Sequence, residues 1–263
     1  MEIAAVILLL VGGFFFLVGW IEGNPVLARM RMAVAIAIPA MLLAGCGGNA
    51  AKAPSATAPS ATLIVQQMKD AMSDATSVHI DGSVTRNGLE IFLNVSLERS
   101  GRAKGVILTA TPSAIKSEAG GLNILTIDSD DVYFEVTPTS LKTFKARASL
   151  CSTECGKFVK IPASQAKSLS ANFTMTGVLG GFTGEYPSFT IQGTAIVKGV
   201  RVRVLRAVGT TIYAAAAGTP FPVVVDESGS YGNGELVFTE WNAVPAITAP
   251  PPGQVVSMSS LTG

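Results

Sequence analysis

The stretch that decides the fold is Leu89-Glu90-Ile91-Phe92-Leu93-Asn94-Val95-Ser96-Leu97-Glu98. Leu89, Ile91, Leu93, Val95 and Leu97 alternate with Glu90, Phe92, Asn94, Ser96 and Glu98. A period of two sends successive side chains to opposite faces of a pleated strand. This run therefore reads as a half-buried β-strand with one apolar and one mostly polar face. Turn signals flank it, Asn87-Gly88 before and Ser100-Gly101 after. The preceding run repeats the pattern, with Val78, Ile80, Gly82 and Val84 opposing His79, Asp81, Ser83 and Thr85. Together the two runs form a hairpin.

Outward from this hairpin the pattern changes on both sides. Ahead of it, Ile64, Met68, Ala71, Met72 and Ala75 recur every three or four residues behind Thr62, which predicts an amphipathic helix over 63–75 capped by Thr62. Behind it, further strands are predicted at 103–109, 113–118, 122–128 and 131–137, then a short helix at 138–148 and a helix or helix pair at 164–178. The glycine-rich Gly177-Val178-Leu179-Gly180-Gly181 reads as a flexible loop. Strands return at 188–198, 200–207, 210–217, 221–226 and 234–241, with a tight joint at Lys198-Gly199. Pro245, Pro250, Pro251 and Pro252 break the last stretch. The order helix, strands, helices, strands predicts an α+β fold, one large antiparallel sheet with helices on one side.

The front of the chain has a different character. Arg29 and Arg31 precede an apolar run from Met32 to Leu43, which leads into Leu43-Ala44-Gly45-Cys46. This is the charged, apolar and small-residue order of an export signal. Its ending resembles a bacterial lipobox, which implies that Cys46 is acylated on sulfur and becomes the first residue of the mature protein. At 1.5 Å per residue, the run covers roughly 18 Å of a ~30 Å bilayer core, too little to span it well. Upstream, residues 3–21 form a longer apolar run between Glu2 and Glu22. It is either a true N-terminal helix or the product of a start assigned upstream of Met30 or Met32. The expected organisation is an N-terminal hydrophobic and signal segment (1–45), a small-residue tether (46–61), a folded domain (62–250) and a flexible tail (251–263).

Composition excludes several classes. The chain has 263 residues with 19 basic and 18 acidic side chains, a net charge of +1 and no cluster of cations interleaved with aromatics. No nucleic-acid partner is expected. The single histidine, His79, sits beside Asp81 on the polar face of a strand, and no Gly-x-Ser-x-Gly elbow presents a nucleophile to it. No phosphate-binding glycine loop precedes a helix, so no cofactor is expected. Asp128, Asp130 and Asp131 lack the later glycine and glutamate of a calcium loop and read as a turn. If Cys46 is acylated, Cys151 and Cys155 remain as an even pair. A local disulfide is favoured, the alternative being half a zinc site that would need two more ligands. An exported hydrolase is the less favoured function. Only Trp241 remains beyond the signal to line a sugar cleft.

The order of features resembles the LppX/LprAFG family of actinobacterial lipoproteins. The residues that carry the likeness are the Cys46 ending with its tether, the helix closing in Ala75-Thr76-Ser77-Val78-His79 and the Asp131-Val132-Tyr133-Phe134 strand. Gly156-Lys157-Phe158-Val159-Lys160-Ile161, Pro220-Phe221-Pro222-Val223-Val224-Val225 and Phe238-Thr239-Glu240-Trp241-Asn242-Ala243-Val244-Pro245-Ala246-Ile247 complete it. The resemblance implies a fold like that of the LolA/LolB lipoprotein carriers, a strongly curved half-barrel sheet covered on one face by helices, with an apolar cavity between. It implies a non-enzymatic protein at the extracytoplasmic face of the membrane that binds an acylated lipid or glycolipid and helps carry it across the envelope, with a transport protein as a further partner. A closed scaffold or sensor on the same fold is the alternative. The candidate lining is Leu89, Ile91, Leu93, Val95 and Leu97 on one strand, with Ile107, Leu125, Phe134, Phe173 and Val204 from elsewhere.

Overall fold

A computed structural model describes residues 59–86, 89–110, 122–183, 188–228 and 232–262. Cys46, the tether, both N-terminal apolar runs and the strand predicted at 113–118 lie outside the described residues. Twelve strands form one open sheet: β1 (Ser77–Arg86), β2 (Leu89–Glu98), β3 (Ala103–Ala110), β4 (Asn123–Thr126), β5 (Val132–Glu135), β6 (Phe158–Lys160), β7 (Thr190–Val197), β8 (Val200–Ala207), β9 (Thr210–Ala215), β10 (Pro222–Glu227), β11 (Asn233–Thr239) and β12 (Val255–Val256). Their order across the sheet is β12-β6-β5-β4-β3-β2-β1-β11-β10-β9-β8-β7. All pairings are antiparallel except β12 with β6, so the sheet is mixed. Two meanders, β1–β6 and β7–β11, meet at the β1–β11 seam.

The helices are α1 (Ala61–Asp74), α2 (Pro138–Thr143), α3 (Cys151–Glu154), α4 (Ala163–Asn172), α5 (Met175–Thr183) and α6 (Ser259–Thr262). Ser60, not Thr62, caps α1 by accepting from the Leu63 amide at 3.2 Å. Ile64, Met68 and Met72, one turn apart, face the sheet. They share one buried cluster with Val78 and Ile80 of β1, the inward residues of β2, and residues of α2, α4, α5 and α6. That common cluster sets the helices on one face, called inner below. The Arg99 guanidinium donates to the carbonyls of Ala75 (2.6 Å) and Met72 (3.1 Å), closing the C-terminal end of α1 onto the β2–β3 turn.

The sheet bends along a line of glycines. Gly82, Gly105 and Gly234 all have φ between 135° and 149°. A Cβ on each would lie 2.1 Å from a carbonyl oxygen of the neighbouring strand. In register, Gly105 opposes Val95, Gly82 opposes Leu93, and Gly234 opposes Val84, whose partner on β2 is Ile91. The three therefore fall on one diagonal across β3, β1 and β11, the placement that folds a sheet at a corner. Bulges at Ile191/Gly193 and Pro222/Val224 add to the bend. Its extent is visible at Lys198, in the β7–β8 turn, whose Nζ lies 3.4 Å from Glu235 Oε1 of β11. In a flat sheet these strands would stand roughly 14–19 Å apart at ~4.8 Å per strand. The folded-back hairpin closes a second small core on the outer face, with Val202, Val223 and Val224 at its centre.

Two expectations are corrected. Residues 251–263 are not a flexible tail: Val255 and Val256 pair with Phe158 and Val159, and Leu261 is buried in the main core. Leading into them, Ile247 is buried against Leu125 and Tyr133 on the outer face. Its amide donates to Glu98 at 2.7 Å and its carbonyl accepts from Arg102 at 3.1 Å. Pro245 and Pro250 keep the stretch through Ile247 extended, a strap able to bury its aliphatic side chains, and a short 3-10 turn at Pro252–Gln254 leads into β12. Likewise Gly177–Gly181 is not a loop but lies within α5. Burial of Met175, Val178 and Leu179 overrides the poor helix propensity of its glycines.

Candidate functional site: the apolar interior under the helices

The largest continuous apolar region is the interior between the inner face and the helices. Strand parity places Ile91, Leu93, Val95 and Leu97 there, at alternate positions along β2. Phe134 joins from β5, and Phe173 from the end of α4. These six sequence candidates share one cluster. The backbone register puts positions 89 and 107 on the same face, but the side chains of Leu89 and Ile107 lie outside the described part of the structure.

Leu125 and Val204 are not brought to this interior. Leu125 pairs with Lys104 and Tyr133 on the outer face and packs under the Ile247 strap, while its neighbour Ile124 points inward. Val204 pairs with Tyr213 on the outer face, half-buried, and it is Leu205 beside it that turns inward. The lining missed in the sequence comes mostly from the helices: Met68 and Met72 of α1, Leu169 of α4, and Met175, Val178 and Leu179 of α5. The spacing of Met68 and Met72 carried the signal for α1. The glycines hid it for α5.

Three features mark this interior. All four methionines beyond residue 45 (Met68, Met72, Met175 and Met258) belong to or pack against it. Unbranched and polarisable, they reshape around a guest more readily than β-branched residues. One end is closed by aromatics: Trp241 stacks on Phe221 at 4.5 Å and 5°, lies 6.0 Å from Phe238, and donates from Nε1 to the Pro222 carbonyl at 3.0 Å. Phe134 and Phe144 meet at 4.7 Å near the other meander. Finally, two buried polar oxygens, Thr126 Oγ1 on β4 and Gln165 Oε1 on α4, have no hydrogen-bond partner among the described residues. Such an orphan costs about 1–3 kcal/mol, which a guest hydroxyl would recover.

The helix α5 is the weakest wall. Gly177, Gly180 and Gly181 occupy three of its nine positions. Each costs roughly 1 kcal/mol of helix propensity relative to alanine. Its first turn is fixed by Thr174 Oγ1, which accepts from the Gly177 amide at 2.9 Å.

The polar candidates go elsewhere. His79 Nδ1 lies 3.0 Å from Ser96 Oγ on the outer face, and Asp81 there accepts from Asn94 at 3.3 Å. Asp128 Oδ1 accepts from the amides of Asp130 and Asp131, both at 2.8 Å, so this acidic run is a turn. Those two amides hold the Asp128 carboxyl below its ordinary range. Asp131 pairs with Lys160, which raises the lysine pKa, and burial raises that of Tyr133. Among the described residues no group of His, Cys, Asp or Glu is arranged to hold a metal. Cys151 and Cys155 are joined in a disulfide across α3, so neither thiol remains as a zinc ligand. No helix of the described residues is long and apolar enough to cross a membrane.

No protein-family model and no curated protein matches the sequence. Solved structures similar to this chain include LprF from Mycobacterium bovis, at 15% identity and a TM-score of 0.47, covering 72% of this chain and 96% of that one. The lipoprotein LppX of Mycobacterium tuberculosis is also similar, at 15% identity and a TM-score of 0.43, covering 72% and 98%. Both names belong to the lipoprotein group that the sequence resembles.

Proposed function

We propose that this chain is an exported lipoprotein, anchored through Cys46, which binds the acyl part of a lipid or glycolipid in the interior under its helices and helps carry it across the cell envelope. The observation that carries the reading is the make-up of that interior. It is apolar, lined by methionines and bounded on one side by a glycine-rich helix, and two buried oxygens on its walls, on β4 and α4, lack a partner among the described residues. Each buried methylene of an acyl chain contributes about 0.8 kcal/mol, so binding needs no catalytic group. We assign no reaction to the protein.

Native mass spectrometry of the purified full-length protein tests this. An adduct with the mass of an acylated molecule, lost on organic extraction and reduced in Leu93→Trp, is expected. A clean ligand-free mass, with lipid failing to add on incubation with vesicles, refutes it. The complete burial of Val95 and Leu97 favours a second reading, a scaffold or sensor whose core stays closed. The ligand-free outcome would select it. The same spectra report the anchor: the mature chain should begin at an acylated Cys46.

A further inference from the structure

The inner face does not end where the helices do. Beyond the buried Leu205 it continues along the β7–β8 hairpin, where Ile191 pairs with Leu205, Thr194 with Arg203 and Ile196 with Arg201. Directly opposed residues of an antiparallel pair share a face. Ile191, Ile196, Arg201 and Arg203 therefore form one surface. Ile191 is 40% exposed and Ile196 79%, an unusual placement for two aliphatic side chains on an edge strand. Arg201 is exposed and Arg203 half-exposed, and among the described residues neither is paired with a carboxylate.

The sequence around this surface carries one sign of charge. Between Tyr186 and Val225 there is no Asp or Glu, while Lys198, Arg201, Arg203 and Arg206 all fall there. In a chain of net charge +1 this is a local concentration along the sequence; Lys198 is paired with Glu235, which leaves Arg201 and Arg203 as the cations of this surface. Guanidinium groups match phosphate oxygens in bidentate geometry, and exposed isoleucines beside them have somewhere to go only if the phosphates cap a hydrocarbon layer. A protein partner of matching shape would need carboxylates and an apolar pocket together. A bilayer supplies phosphate and acyl chain in one plane.

We infer that the Ile191/Ile196/Arg201/Arg203 face of the β7–β8 hairpin docks onto an anionic lipid bilayer. It rests on the reading that the chain is held at a membrane. A tether such as the sequence predicts ahead of α1 would let the domain range over roughly 20 Å from an anchor at Cys46, at 5–6 Å times the square root of the residue number for about 14 residues. At the effective concentration this sets, a weak surface contact is enough to orient the domain.

The test uses full-length protein reconstituted in vesicles, with an environment-sensitive fluorophore on Ile196→Cys and the parent chain labelled in parallel to report any free thiol. Flotation of the chain with the vesicles reports the anchor, and the probe reports the hairpin, so loss of one is distinguishable from loss of the other. In phosphatidylcholine vesicles containing phosphatidylglycerol, the emission should shift to the blue and be quenched by brominated acyl chains. In pure phosphatidylcholine it should remain that of a probe in water. Arg201→Glu with Arg203→Glu, or 1 M salt, should abolish the shift, since the screening length falls to about 3 Å. Hydrogen exchange over residues 190–206 gives a label-free second reading, protected only on the anionic vesicles. The inference is overturned by water-like emission on both vesicles, by an equal shift on both, or by a shift that grows with protein density at fixed lipid composition, which marks a second copy as the occupant.

Discussion

Gly82 sits where the two halves of the sheet are joined, and replacing it with alanine isolates the cost of that bend. It pairs with Leu93 on one side and Leu236 on the other, at φ 135°, a region that L side chains rarely adopt. The alanine Cβ would stand 2.1 Å from the Glu235 carbonyl oxygen, where ordinary contact begins at 3.4 Å. The obstacle is backbone, so β1 and β11 must separate by more than an ångström or the kink must flatten. The backbone conformation alone costs about 1–3 kcal/mol, and one or two ladder hydrogen bonds stretched past bonding add about 1 kcal/mol each. The expected loss is about 2–5 kcal/mol. At 2–4 °C per kcal/mol for a domain of this size, the melting temperature should fall by roughly 4–20 °C. Two other glycines act as controls: Gly101 has φ 92° and Gly253 an ordinary φ, and a Cβ on either would meet no atom within 4 Å. Thermal unfolding followed by circular dichroism should rank Gly82→Ala well below Gly101→Ala, and that below Gly253→Ala. If Gly82→Ala melts with Gly253→Ala, the diagonal of glycines does not set the bend.

Ile247→Ala should destabilise by about 2–3 kcal/mol in denaturant unfolding, because it uncovers Leu125 and Tyr133 on the outer face; a change below 0.5 kcal/mol would show that the strap merely rests there. The Asp128 carboxyl titrates below its usual 3.8, so the turn is held while it is ionised and loosens as the pH falls through that lowered value; the Asp130 and Asp131 amide resonances should move with a midpoint below pH 3.8, and a midpoint above it refutes the assignment. Cys155→Ser opens a loop of only a few residues, so unfolding should cost about 2 kcal/mol less than in the parent, with the β5–β6 pairing intact by hydrogen exchange. Gly177→Ala should strengthen α5, raising stability by up to about 1 kcal/mol while slowing exchange of bound lipid in a vesicle-transfer assay; unchanged exchange would remove α5 as the route of entry.

The hairpin that opens the sheet was legible because its parity is unambiguous: one face of 78–85 and 90–97 is buried and the other is not. Where both faces are covered, parity gives no answer. In β4, Ile124 and Leu125 are both buried, one toward the helices and one under the strap, and adjacent apolar residues cannot say which is which. In β8 the run Val200-Arg201-Val202-Arg203-Val204-Leu205 alternates and then slips. Its valines lie on the outer face, where Val202 enters the small core, and Leu205 faces the large inner one. The slip marks a strand between two cores, and of its apolar residues it is Leu205, not the candidate Val204, that reaches the main interior. The parallel pairing of β12 with β6 was not legible, since two residues behind three consecutive prolines carry no period.

The interior and the bend are connected by one constraint. A guest burying ten methylenes would gain about 8 kcal/mol, comparable to the whole stability of a typical domain. No close-packed core accepts that volume unless part of its own packing gives way. The sheet side is poorly placed to yield, because its ladders are continuous from β5 to β8 and its corner is fixed by glycines that admit no side chain. The helix side can yield. It meets the sheet through packed apolar side chains rather than a continuous ladder, it supplies Met68, Met72 and Met175, and α5 holds its shape through burial rather than propensity. A ligand would then replace α5 against an unchanged sheet. On this account the ligand-free and loaded forms share the β1–β11 seam and differ at residues 174–183, a difference that hydrogen exchange resolves peptide by peptide.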